Sequence, residues 1–180
     1  MAEIIDLTES NDVAREDNQQ ILSAKVIGKP KALKRHRHGK KGHYYNPSER
    51  EQRIFRHKVF QQMSVTASSL PFFDTTEPLS LKVIFRFRRP NNHFVGNKRG
   101  NPLKKEFQSS IHRCKVDTDN LIKFVMDSLI GVAYKDDSQV THISALRLYK
   151  NDNLDCDEST EVTIKTFTEV ELANIVNTEN

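Results

Sequence analysis

The sequence predicts one small domain that mixes β-strands with two main helices, an α/β or α+β arrangement, with a tail at each end. Three observations carry this. The chain's 180 residues are enough for a single hydrophobic core. Apolar residues alternate with period two in several short segments, and two longer segments repeat them at helical spacing. The resulting boundaries are an acidic leader at 1–20, the domain at 21–168 with an insert at 90–114, and a tail at 169–180.

Taken in order, Ile21 to Ile27 alternates weakly and predicts the first strand. Gly28 to Ser48 is too basic and too rich in Gly and Pro to form regular structure by itself. Pro47-Ser48 followed by Glu49 and Glu51 predicts a helix start, a hydroxyl cap with acids in the first turn. Ile54, Phe55, Val59 and Met63 give that helix an apolar face to about Ser64. From Leu79 to Arg89 a strand buries Leu79, Leu81, Val83, Phe85 and Phe87 and turns a basic face outward. Pro90 to Cys114 is polar and turn-rich, which predicts a long flexible loop. A second helix begins at Thr118 or Asp119, buries Leu121, Ile122, Val125, Met126 and Leu129, and ends at Gly131. Asp136-Asp137-Ser138 turns the chain into a strand from about Gln139 to Tyr149. Glu161 to Phe167 is the last strand, and the remainder is a short helix or tail.

No apolar run reaches the length of a membrane span, and the N-terminus lacks the pattern of a secretion signal. Cys114 and Cys156 are too few and too far apart for a disulfide framework or zinc knuckle, so a reducing, intracellular and non-secreted setting is expected.

The net charge of +4 hides strong segregation. Residues 1–20 hold six acids and one Arg, residues 25–58 hold twelve Lys or Arg, and Pro78 to Lys105 contains no acid. One basic stretch is often just a solvated face. Two of them flanking an acidic cluster form the electrostatic footprint of a nucleic-acid binder. In the first, Lys34, Arg35, Arg37, Lys40 and Lys41 would neutralise phosphates, while Tyr44 and Tyr45 would stack on exposed bases. Arg86 and Arg88 on the strand, with Lys98 and Arg99 in the insert, extend the expected DNA surface. His36 and His38 have metal-like spacing, but the cations around them argue against a metal.

The acids gather between Lys115 and Asp137. Asp117 and Asp119 share a face at the end of an extended segment. Asp119, Lys123 and Asp127 follow at four-residue spacing along one side of the helix, opposite its core stripe. Asp137 returns beyond the helix, where strand pairing would place it beside Asp117. Carboxylates held close repel unless a cation neutralises them. Mg²⁺ takes oxygen ligands and completes its shell with water and substrate phosphate oxygens, which suits hydrolysis of a phosphodiester. A neighbouring lysine can hold the developing charge. Asp127 by itself reads equally well as a solvated helix-face charge in an ordinary ion pair.

Other motifs fit worse. Haloacid-dehalogenase phosphatases need an apolar strand directly before the first Asp, and Ile111-His-Arg-Cys-Lys-Val is mostly polar. An EF-hand counted from Asp117 would need Gly and Glu where Ile122 and Ser128 stand. No Walker loop, nucleophile elbow or dinucleotide fingerprint is present.

Asp117-Thr-Asp-Asn-Leu-Ile-Lys123, then Asp127-Ser-Leu-Ile-Gly131, then Lys135-Asp-Asp-Ser-Gln-Val140 closely resembles the RusA family of Holliday-junction resolvases. A looser likeness lies upstream, in the basic loop, Tyr45-Asn-Pro-Ser48 and the helix after it. The resemblance spans roughly residues 22–167, apart from the insert. It implies a homodimer with a mixed β-sheet and one Mg²⁺ site per subunit, Mn²⁺ being able to substitute. Such a dimer would bind a four-way DNA junction and nick two strands symmetrically, in recombination and repair. Matched by position, Asp117, Asp119 and Asp137 would be metal ligands and Lys123 the catalytic lysine, with Asn120, Asp127 and Asp136 in support. The acidic leader and the basic insert depart from the pattern and leave cleavage preference open. Two alternatives remain: a non-catalytic binder of branched DNA, and a broader flap or branch nuclease.

In the leader, Ile4, Ile5, Asp6 and Leu7 between acids resemble a SUMO-interacting motif, which adds a strand to its partner's sheet edge. That likeness implies a eukaryotic or eukaryote-infecting origin and work in the nucleus.

Overall fold

The computed structural model describes residues 20–38, 43–63, 66–73, 76–112, 116–150 and 157–177. The leader motif at Ile4, Ile5, Asp6 and Leu7 lies outside them, as do Lys40, Lys41 and both cysteines. In chain order the elements are β1 (Ile21–Ile27), β2 (Arg37–His38), β3 (Tyr44–Tyr45), α1 (Glu49–Phe60), β4 (Leu79–Phe87), α2 (Thr118–Leu129), β5 (Val140–Tyr149), β6 (Ser159–Thr166) and α3 (Glu169–Asn177), with short 3₁₀ turns between them.

One four-stranded sheet has the order β1-β6-β4-β5. β6 pairs antiparallel with both β1 and β4, and β4 pairs parallel with β5, so the sheet is mixed. Parallel neighbours need a crossover. Here the crossover runs from Phe87 through the insert and α2 to Val140, so α2 is suspended between the two strands it connects. One sheet face carries Leu22, Val26, Leu81, Val83, Phe85, Val162 and Ile164 into the core, closed by Phe55 and Val59 of α1 and by Leu121, Phe124, Val125 and Leu129 of α2. The other face mixes charged residues with the aliphatics Ile84, Leu146 and Leu148. There Glu161 pairs with Arg86 at 2.9 Å and with Lys25 at 3.3 Å.

Several local expectations need correction. α1 stops at Phe60 and turns Ile54 outward, 47% exposed, while Gln52 takes the buried place in the Phe55–Val59 stripe. Ser48 stands at the helix start, yet its hydroxyl makes no cap. It accepts instead from the Lys34 backbone N–H at 2.9 Å and so anchors the basic loop. That loop is more ordered than its composition suggested, because Arg37 and His38 pair with Tyr45 and Tyr44 in a short ladder. In α2 the buried set includes Phe124 and Ser128, with Ile122 and Met126 only half-buried. The helix ends earlier than expected, at Leu129 with a non-helical Ile130 after it, and Gly131, whose φ of +80° favours glycine, shapes the turn that follows.

The insert is a packed unit rather than an open loop. Arg89 donates to the carbonyls of Phe107 and Ser109, both at 2.9 Å, and its guanidinium lies 4.5 Å above the Tyr149 ring. His93 stacks on Phe107 at 3.9 Å, and Phe94 is 3% exposed. Its sequence hid this because the buried residues follow no strand or helix period.

Candidate active site

α2 carries the acids as its spacing predicts. Asp119 and Lys123 form an ion pair at 3.6 Å, with both side chains 61% exposed. At that exposure the pair adds little stability and leaves both groups accessible. The helix rises ~1.5 Å per residue, so Asp119 and Asp127 lie ~12 Å apart along its axis, with Lys123 between them. Lys123 is close enough to act electrostatically on Asp127. Asp117 is the exposed residue at the α2 N-terminus, and its side chain makes no cap there. The Asn120 carbonyl accepts from the Leu33 backbone N–H at 2.8 Å, which lays the basic loop along the first turn of α2.

Asp127 is the most constrained of these acids. Burial holds its carboxyl above the usual range, and the charge of Asp137 pushes the same way. Gln52, His36 and Lys123 oppose them. Gln52 donates to Asp127 Oδ2 at 3.2 Å. The Gln52 oxygen in turn accepts from Asn46 Nδ2 at 2.8 Å, and Asn46 Oδ1 accepts from the Ser48 N–H at 2.8 Å. This chain of amides fixes the direction of the Gln52 donor. Arg56 closes the other end of α2 by donating to the Ser128 carbonyl at 2.9 Å. Such terminal carbonyls otherwise lack intrahelical partners.

Asp137 follows a tight turn shaped by Asp136. The Asp136 carboxylate accepts from the Ser138 N–H at 2.9 Å, and Gln139 Oε1 accepts from the N–H groups of Lys135 and Asp136. The hydrogen bonding from Ser138 holds the Asp136 carboxyl below its ordinary range, so its observed work is to cap the turn. Strand pairing does not bring Asp137 to Asp117. β5 runs parallel to β4, and the chain just before Asp117 is tied to the far end of β5, where Arg147 donates to the Val116 carbonyl. The charge of Asp137 falls instead on Asp127 and on Tyr134, a buried phenol that donates to the Met126 carbonyl at 3.0 Å. Burial first, then Asp137 and Asp127, push the Tyr134 pKa up, keeping it a neutral donor.

Among the described residues no group of three or more His, Cys, Asp or Glu side chains converges as a ready cation cage. The donor chemistry nevertheless suits a hard divalent cation. The charge of Asp137 acts on Asp127, and Asp119 and Asp117 continue the acidic strip towards the start of α2. Mg²⁺ commonly uses one or two carboxylates and takes its other ligands from water and phosphate.

The expected DNA contacts divide. Arg35, Arg37, Arg88 and Lys98 are exposed, and Tyr44 is 71% exposed with its ring 3.9 Å from that of His38. Tyr45 is 47% exposed. Lys34 pairs with Glu51 at 3.1 Å, Arg86 with Glu161, and Arg99 donates to the Arg89 carbonyl, so these three also hold the fold. Sequence reasoning missed Gln52, Asn46 and His36 as parts of the site. A signal did exist for Gln52, a polar residue at a core position of the 52/55/59 stripe.

A family model described as endodeoxyribonuclease RusA matches residues 27–165 of the chain. No curated protein matches.

Proposed function

The chain belongs to the endodeoxyribonuclease RusA family, whose members hydrolyse phosphodiester bonds in DNA to resolve Holliday junctions, and from that premise we propose how its own residues do this. It is a metal-dependent nuclease of branched DNA. In our reading the metal is Mg²⁺, replaceable by Mn²⁺; Asp137 and Asp127 hold it at one end of the strip with water and DNA phosphate oxygens, and Asp117 and Asp119 bind a second ion at the other end, beyond Lys123. The observation that favours including Asp127 is its partial burial beside Asp137, opposed by a directed Gln52 donor. A like-charge arrangement of this kind is stabilised by a cation.

The cation supplies Lewis-acid stabilisation of phosphate charge and a more acidic bound water. The protein's own groups do the rest. Lys123, exposed beside Asp119, places its ammonium where the scissile phosphate gains charge. Gln52 aims one Asp127 oxygen and leaves the other available. The basic loop lies along α2 through the Leu33–Asn120 hydrogen bond and presents Arg35 and Arg37 to the backbone, with Tyr44 and Tyr45 offered to unstacked bases. Two such sites in a homodimer would cut two strands symmetrically. The leader motif Ile4-Ile5-Asp6-Leu7 would recruit the enzyme to SUMO-bearing partners in the nucleus.

The test is Asp119→Asn on a mobile four-way junction, with Mg²⁺ and with EDTA, mapping both nicks. Junction binding should persist while cleavage falls by at least ~100-fold. Undiminished cutting by the variant would sink the catalytic assignment. Equal cutting of flaps and junctions would favour the broader branch nuclease.

A further inference from the structure

A second site adjoins the acidic one, on the other side of the basic loop. Between the end of β1, the loop and α1 lies a pocket of about 470 Å³, within the range of small-ligand sites. Its rim carries five cations and one acid, Glu51. Lys31 and Lys34 pair with that acid at 3.4 and 3.1 Å, and Lys58 donates to the Ile27 carbonyl at 3.1 Å. Lys29 and Arg50 have no partner among the described residues, so the rim holds uncompensated positive charge. Ile27 and Ile54 also line the pocket and are 46% and 47% exposed. An exposed apolar pair inside a cationic ring is costly for a surface meant only for water. It suits a ligand with a flat apolar body and an anionic backbone.

The pocket's position says which ligand. Its inner wall includes Phe124, the neighbour of Lys123 on α2. Lys29 also lines a second cleft, with Arg88, Arg89 and Arg99 against the single acid Glu158, which reaches Val116 beside Asp117. A DNA strand leaving the acidic strip therefore meets positive charge on both sides of Lys29. We propose that the pocket formed by Lys29, Arg50, Ile27 and Ile54 receives one unstacked nucleotide of the DNA, its base on the two isoleucines and its phosphate at Lys29 and Arg50. This rests on the nuclease reading above and adds a specific seat for an unpaired base next to the cutting site.

The test uses the full chain in EDTA, measuring anisotropy with a short single-stranded oligonucleotide and with the matching duplex. Arg50→Glu and Ile54→Asp change exposed side chains, and circular dichroism verifies their fold. Lys29→Glu provides a second charge variant. Each should lose at least ~10-fold in single-strand affinity, through lost apolar contact with the base at Ile54 or a reversed charge at the phosphate. Duplex affinity should change less than ~2-fold, and for wild type an abasic oligonucleotide should bind as weakly as the base-bearing one binds Ile54→Asp. Parallel losses on duplex and single strand would reduce the pocket to general electrostatics and overturn the proposal, as would no loss at all. Unchanged oligonucleotide binding with lost binding of a peptide of residues 1–19 would assign the pocket to the acidic leader instead. If wild type seats the oligonucleotide here but cuts no junction, the nuclease reading fails and the pocket stands.

Discussion

Replacing Gln52 with Leu probes the link between packing and chemistry at the site. Gln52 is 7% exposed and makes two side-chain hydrogen bonds, accepting from Asn46 at 2.8 Å and donating to Asp127 at 3.2 Å. Leu has similar volume and fits the stripe with Phe55 and Val59, so no cavity opens. The bond to Asn46 is worth about 1 kcal/mol and the bond to the carboxylate about 1.5–2 kcal/mol. Burying apolar atoms in their place returns about 1 kcal/mol. The net loss is about 1.5–2 kcal/mol, or a fall in Tm of roughly 3–8 °C for a domain of this size. The chemical effect has a definite sign. Gln52 is the largest influence lowering the Asp127 pKa, against burial and Asp137, which raise it. Without it the carboxyl titrates higher still, and the ionised form that serves a metal appears only at higher pH. In single-turnover junction cleavage, the acid limb of the pH–rate profile should move to higher pH, with much of the rate recovered on its alkaline side. An unmoved limb would show that Asp127 ionisation is not linked to cleavage. An unmoved Tm would show that the amide chain contributes nothing.

Other consequences are equally direct. His112 is 6% exposed, stacked on Phe87 at 4.1 Å, with Nδ1 unpartnered among the described residues, and burial followed by Arg147 lowers its pKa to about 4. Its folded pKa lies below the ordinary 6.5, so its contribution is intact above that value and lost as pH falls towards 4. Chemical denaturation should show about 2–3 kcal/mol of stability lost across that window, and His112→Phe should flatten the profile. Arg86→Ala should lower stability by about 1 kcal/mol by breaking the two-bond pair with Glu161, while changing DNA affinity less than Arg37→Ala does. Comparable DNA losses for the two would return Arg86 to the binding surface. Deleting residues 1–19 should abolish SUMO binding in a pull-down and leave junction cleavage and Tm unchanged, because the first described strand begins at Ile21. Equal SUMO capture by the truncated chain would remove that role.

Much of this protein was legible in one dimension. The alternation from Leu79 to Phe87 becomes the central strand, since a strand buried on one face must place every second residue in the core. The spacing of Asp119, Lys123 and Asp127 becomes one strip of α2 for the same periodic reason. The motif order carried the family assignment and the candidate chemistry. Where several interactions meet at one residue, sequence was a weaker guide. Ser48 looked like a helix cap, but its hydroxyl has one best partner and the Lys34 N–H occupies it. The insert looked flexible because its packing follows no period, yet Arg89, His93 and Phe107 tie it to Tyr149.

The sequence by itself determined which residues could do chemistry: a helix-borne set of acids and a lysine on a basic chain, with periodicity enough to place them on one face. The tertiary structure decided which of them interact. The parallel pairing of β5 with β4 sets Asp137 against Asp127, and α1 brings Gln52 across 75 residues to orient that carboxylate. Periodicity reports only neighbours along an element. Contacts between elements depend on how the crossover closes, and here that closure turned Asp127 from an ordinary surface charge into the most constrained acid of the strip.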